Sequence, residues 1–127
     1  MTTRMLVMVS AAIEAATGVA LIAVPDLVAR LLLGTGLSGS GVAVARVAGF
    51  GLLSLAIACW PGGAHTSPHA TRALFLYNLL AGLYLGYLRV GAGFIGYLLL
   101  PACALHVVLG ALLAPGALGS SRSFRQQ

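Results

Sequence analysis

The chain has 127 residues, 60% of them hydrophobic and only 7% charged, with a net charge of +5 and a mean hydropathy of +1.03. These values exclude a soluble domain between the apolar stretches and leave no length for an extramembrane catalytic head. The positive charge does not point to nucleic acid, because all seven basic residues are arginines scattered from Arg4 to Arg125 without forming a basic face.

Residues 5–24 form the first apolar stretch long enough to cross a hydrocarbon core. Arg4 followed by an apolar run resembles the start of a secretory signal. Glu14 interrupts that pattern and hydrophobicity continues to Val24, so the stretch reads as a retained helix. Residues 5–33 as one helix would measure about 43 Å, longer than a membrane needs. Pro25 is the natural break: its ring disfavours helical geometry at Val24 and suits the first turn of a new helix. The expectation is a short interfacial helix over 25–33, with Asp26 at its positive end, Arg30 reaching water and Gly34 as its stop.

A Gly- and Ser-rich connection, 34–41, leads to a second span over 42–60, closed by Trp60 as an interfacial anchor. The following connection, 61–72, is the most polar part of the chain. It holds His65 and His69 at an i, i+4 spacing, but Pro68 and the nearby glycines oppose a regular helix, and a solvated loop is expected rather than a metal site. The third span covers 73–90, with Tyr77 at the interface and Asn78 placed to bond a neighbouring helix. A tight turn around 89–93 precedes the fourth span, 95–114, in which Pro101 frees the Tyr97 carbonyl and kinks the helix. Residues 116–127 read as a frayed tail. The fold class is therefore all-α: residues 1–127 form a single domain, a four-transmembrane-helix bundle with a short interfacial helix after the first span.

Cys59 and Cys103 both fall inside spans and at different depths, so they read as packing thiols rather than a disulfide. Four spans put both termini on one side. Arg4, Arg72, Arg122 and Arg125 then lie with the termini and Arg30 and Arg89 opposite, with Arg46 near that opposite face. The positive-inside rule makes the termini cytoplasmic in a multi-pass protein of the cell membrane.

Small residues recur at the spacing that lets helices approach closely: Ala12, Ala16 and Ala20 in the first span, Ala45 and Gly49 in the second, Gly82 and Gly86 in the third. The chemistry-bearing candidates are few. Glu14 lies near mid-bilayer, where an ionisable group requires compensation. His106 falls at the same depth on the fourth span, Tyr84 is near mid-depth on the third, and Arg46 lies a turn or two away on the second. These four residues are expected to form one buried polar cluster. It serves as a titrating or ligand-binding site on one reading and as a structural clasp fixing helix register on the other. No second span supplies a histidine, which disfavours a bis-histidine haem. No nucleophile triad, phosphate loop or paired-carboxylate motif occurs, so the chain leans away from being an enzyme.

The stretch Gly18-Val19-Ala20-Leu21-Ile22-Ala23-Val24-Pro25, running into Leu31-Leu32-Leu33-Gly34, with Arg46-Val47-Ala48-Gly49 in the second span, resembles small bacterial four-helix membrane proteins of the DoxX-like kind. The resemblance covers mainly the first half of the chain. It implies a place among functionally mixed proteins, some associated with oxidoreductase or quinone-linked complexes, and it transfers no catalytic residue. Three functions are open: an accessory or structural subunit acting by assembly, which leads; a proton-coupled transporter or ligand carrier using Glu14 and His106; and a quinone-linked redox protein. The expected partners are membrane lipids and either further copies of the chain or a membrane complex. No resident cofactor or metal is expected, and a bound lipid or quinone is compatible with each reading.

Overall fold

The computed structural model describes residues 1–62 and 66–119, and all its regular structure is helical: α1 Thr3–Ala23, α2 Pro25–Leu33, α3 Gly39–Cys59, α4 Pro68–Val90 and α5 Leu99–Gly119. Four of these, α1, α3, α4 and α5, are long and apolar enough to cross a membrane. Their exposed surfaces carry large apolar side chains such as Val44, Val47, Phe50, Leu80 and Leu83, which suits contact with lipid tails.

The break between α1 and α2 falls at Val24, immediately before Pro25, as the proline geometry requires. Gly34 ends α2 in the left-handed conformation (φ 79°), and its N–H donates to the Arg30 carbonyl. Asp26 does more than face the helix dipole. Its carboxylate takes a 2.7 Å bond from Arg30 Nε and a 2.8 Å bond from the Leu37 N–H, tying the 34–38 connection back onto the first turn of α2. Both interactions favour the ionised form: hydrogen bonding to Arg30 first, then to Leu37, holds the Asp26 carboxyl below its ordinary value.

Three expected boundaries are corrected. Helix α4 begins at Pro68 rather than residue 73, with the proline in the first turn where its missing N–H costs nothing, so Thr71 and Arg72 are helical and Tyr77 is mid-helix rather than interfacial. Helix α5 begins at Leu99 rather than residue 95, which puts Pro101 in the first turn and removes the reason for a kink. The same helix continues through Pro115 to Gly119, so residues 116–119 are not frayed, and 120–127 lie outside the described residues. His69 is exposed at the start of α4, while His65, Arg122 and Arg125 lie outside the described residues.

The helices pack as two hairpins. Helix α1 pairs along α3, and α4 along α5, with far sparser contact between the pairs. The first pair crosses at Gly18 and Gly49, where a Cβ added to Gly49 would lie 2.7 Å from the Gly18 carbonyl oxygen. The hairpins meet at both ends. At one, Leu6, Val7, Cys59, Leu74 and Leu113 form a core joining all four long helices. At the other, the Leu98 N–H donates to the Leu31 carbonyl at 2.8 Å, and Gly96 lies so close to the Leu32 backbone that no Cβ would fit.

The small-residue expectation divides accordingly. Gly82 and Gly86 face α5, against Val107 and Cys103, and Gly49 faces α1. The buried face of α1 is instead Val7, Ser10, Ala11, Glu14 and Gly18; Ala12 and Ala16 are exposed and Ala20 half-exposed, as is Ala45 on α3. The α1 stripe was misplaced because alanine is small on every face of that helix, whereas the crossing needs the residue with no side chain at all.

Candidate functional site

Glu14 is 1% exposed at the centre of α1, and neither carboxylate oxygen has a hydrogen-bond partner. The Tyr77 hydroxyl lies beside it, within electrostatic reach but without closing a well-formed hydrogen bond. Leaving a carboxylate in this state within the membrane is expensive, so the group demands either a proton or a partner.

One turn below Glu14 on α1, Ser10 accepts a 2.9 Å hydrogen bond from Asn78 Nδ2 of α4, which also donates to the Leu74 carbonyl at 2.8 Å. With its amide hydrogens so used, Asn78 presents Oδ1 to His106 Nδ1 of α5 at 2.9 Å. Nδ1 must therefore carry the hydrogen, which leaves Nε2 on the ring edge away from Asn78. The imidazole meets the Tyr77 ring edge-on at 5.7 Å between centroids. Ser10, Asn78, His106, Tyr77 and Glu14 thus form one polar belt across α1, α4 and α5, at the layer where the two hairpins meet.

Beside this belt lies a partly open cavity of about 770 Å³ lined by residues of both hairpins. Thr17, Tyr77, Tyr84 and His106 are its polar lining residues; Leu21, Leu80 and Leu105, with Leu27 and Leu31 of α2, are among the apolar ones. Glu14 does not line the cavity, although its neighbours Ile13 and Thr17 do, and the Tyr77 side chain borders both. A smaller cavity of about 320 Å³ on the α4/α5 surface also reaches Asn78 and His106.

Of the four expected cluster members, the structure brings Glu14 and His106 into one layer, each against Tyr77, and leaves Arg46 and Tyr84 out. Arg46 is exposed and makes no ion pair among the described residues. The reason is register: the antiparallel crossing sets Gly18 against Gly49 and Leu53, so Glu14, before Gly18 on α1, and Arg46, before Gly49 on α3, lie on opposite sides of it. Tyr84 is 61% exposed, stacked on Tyr87, and reaches the cavity only as part of its wall. Ser10, Asn78 and Tyr77 are the members that the sequence did not single out as site residues, although Asn78 was expected to bond a neighbouring helix. Their signal was the spacing of Ser10 one turn before Glu14, and the adjacency of Tyr77 to the bridging Asn78.

No family model, curated protein or solved structure matches the chain.

Proposed function

We propose that this protein holds an apolar molecule with a hydrogen-bonding head group between its two hairpins, within the membrane. The observation that carries the reading is the cavity of about 770 Å³, lined mostly by apolar side chains with Tyr77 and His106 among its few polar ones. That is the size and lining of a site for a small organic ligand, with few polar groups to orient it. Oriented donors and acceptors on an otherwise greasy surface suit a lipid or quinone head, and the DoxX-like resemblance supports including quinones among the molecules tested. The arginine distribution supports cytoplasmic termini, readable by labelling cysteines placed at Ser38 and Ser67 from outside the cell.

Assembly with further copies or a larger complex has less support than the small-residue pattern alone suggested, because Gly49, Gly82 and Gly86 pack within the chain. The test is native mass spectrometry from mild detergent. Wild-type protein is expected to retain a small apolar molecule, and Ala81→Trp, which fills the cavity from α4, to lose it with helicity unchanged. Equal retention by both proteins, or none by either, would sink the reading.

A further inference from the structure

We infer that the ligand head is a monovalent organic cation, and that it exchanges with a proton held on Glu14. The inference rests on the binding role proposed above and deepens it.

Glu14 is the only membrane-embedded acid in the chain, it is 1% exposed, and its two oxygens are unpartnered. The charge it would carry is answered by nothing nearby. From α4 it meets Tyr77, and behind that ring α5 offers only His106, whose Nδ1 is engaged by Asn78. On α3 the residues packed against this part of α1, Leu52 and Leu53 at Gly18 and Ala56 near Ala15, bring no titratable group. Arg46 is exposed and further along α3, and Arg30 is already paired with Asp26. Either a proton or a cation brought by a ligand must therefore neutralise Glu14.

The cavity supplies the route. Tyr77 separates it from Glu14, and among the described residues no well-formed hydrogen bond fixes the Tyr77 hydroxyl. Rotation of that side chain would open the cavity towards the carboxylate. Tyr77 and Tyr84 both line the cavity, and aromatic faces attract quaternary ammonium groups, while the leucine walls accept an alkyl chain. The exchange is balanced in charge: as the cation settles beside the Glu14 carboxylate, the carboxyl proton leaves through the cavity to water. No covalent bond other than O–H changes.

The experiment uses the full chain in zwitterionic nanodiscs, with dodecyltrimethylammonium as the cationic probe and dodecanol as its neutral counterpart. The expected result is saturable binding of the cation, proton release in step with occupancy, and affinity falling about tenfold for each unit of pH lowered while Glu14 holds its proton. Glu14→Gln should weaken the cation at least about tenfold and leave dodecanol unaffected. Glu14→Asp keeps the charge, so it should retain proton-coupled cation binding. In wild type the cation should also protect Glu14 from modification by a hydrophobic carbodiimide, a readout needing no variant. Dodecanol binding with no preference for the cation, or cation binding untouched by Glu14→Gln, overturns the inference and leaves the binding role standing. If neither probe binds, both fall.

Discussion

The two hairpins are built from the same kind of apolar sequence but closed by different means. Helices α1 and α3 meet where Gly18 and Gly49 bring backbone against backbone, without a side-chain hydrogen bond between them among the described residues. Helices α4 and α5 are bridged by side-chain polar groups as well: Asn78 to His106, the Cys103 thiol to the Gly82 carbonyl at 3.4 Å, and Arg72 Nε to the Ala117 carbonyl at 3.2 Å. Lipid provides no hydrophobic drive for association, so helices must gain from close packing or from satisfying polar groups. One hairpin relies on the first and the other uses both. The polar belt draws on both: α4 and α5 supply Tyr77, Asn78 and His106, and α1 supplies Ser10 and Glu14.

The largest effect should come from breaking the close approach. Gly49→Val puts atoms where the Gly18 carbonyl and the Ile22 side chain already lie, and should cost at least the upper part of the range of about 1–3 kcal/mol typical of overpacking. Gly51→Val, on the same helix with nothing within 4 Å, should change little. Reversible unfolding in mixed micelles measures both, and equal effects would show that the first hairpin is not closed at this crossing.

Breaking the polar hairpin should be milder. Asn78→Leu removes the bonds to Ser10 and His106 together and should cost about 1–2 kcal/mol, and the Ser10–Asn78 coupling in a double-mutant cycle should be about 0.6 kcal/mol. Such contacts are worth less than they look because the separated helices find other partners in the membrane. A cost for Asn78→Leu exceeding that of Gly49→Val would reverse the comparison.

The smallest effect concerns the connection that returns the chain from α2 to α3. Asp26 is more acidic folded than unfolded, so its contribution is present above its ordinary value of 3.8 and is lost as the pH falls through its lower folded value. Being exposed and open to screening, it should loosen the connection without unfolding the bundle. Hydrogen exchange at the Leu37 amide, corrected for intrinsic rate, should therefore lose protection at acid pH, and Asp26→Asn should lose much of it already at neutral pH. Protection unchanged in Asp26→Asn would dismiss the carboxylate as the tie.

The spans, the Pro25 break and the Gly34 stop were legible in the sequence because hydropathy, proline geometry and glycine capping act locally. The depth of Glu14 and His106 was legible for the same reason, since depth follows from counting along a helix. Rotation was not. When nearly every position on α3 and α5 is apolar, composition does not say which face turns inward, so Arg46 was expected inside; Tyr77 was expected at the interface because the start of α4 was placed five residues late. Rotation and register here are set by the Gly18–Gly49 crossing and by Asn78 reaching two helices at once, both of which are tertiary facts.

The exposed mid-helix residues that line the cavity decide how a ligand would arrive. Leu27 and Leu31 of α2 are among its lining residues, and the lining residues Leu80, Tyr84 and Leu105 are exposed at mid-helix, so in a bilayer the cavity would be reached from the hydrocarbon rather than the water. A molecule entering there dissolves in the bilayer first and finds the protein by diffusing in two dimensions. Its occupancy then follows its mole fraction among the lipids, so adding lipid at constant total ligand dilutes the site just as adding buffer dilutes a soluble receptor.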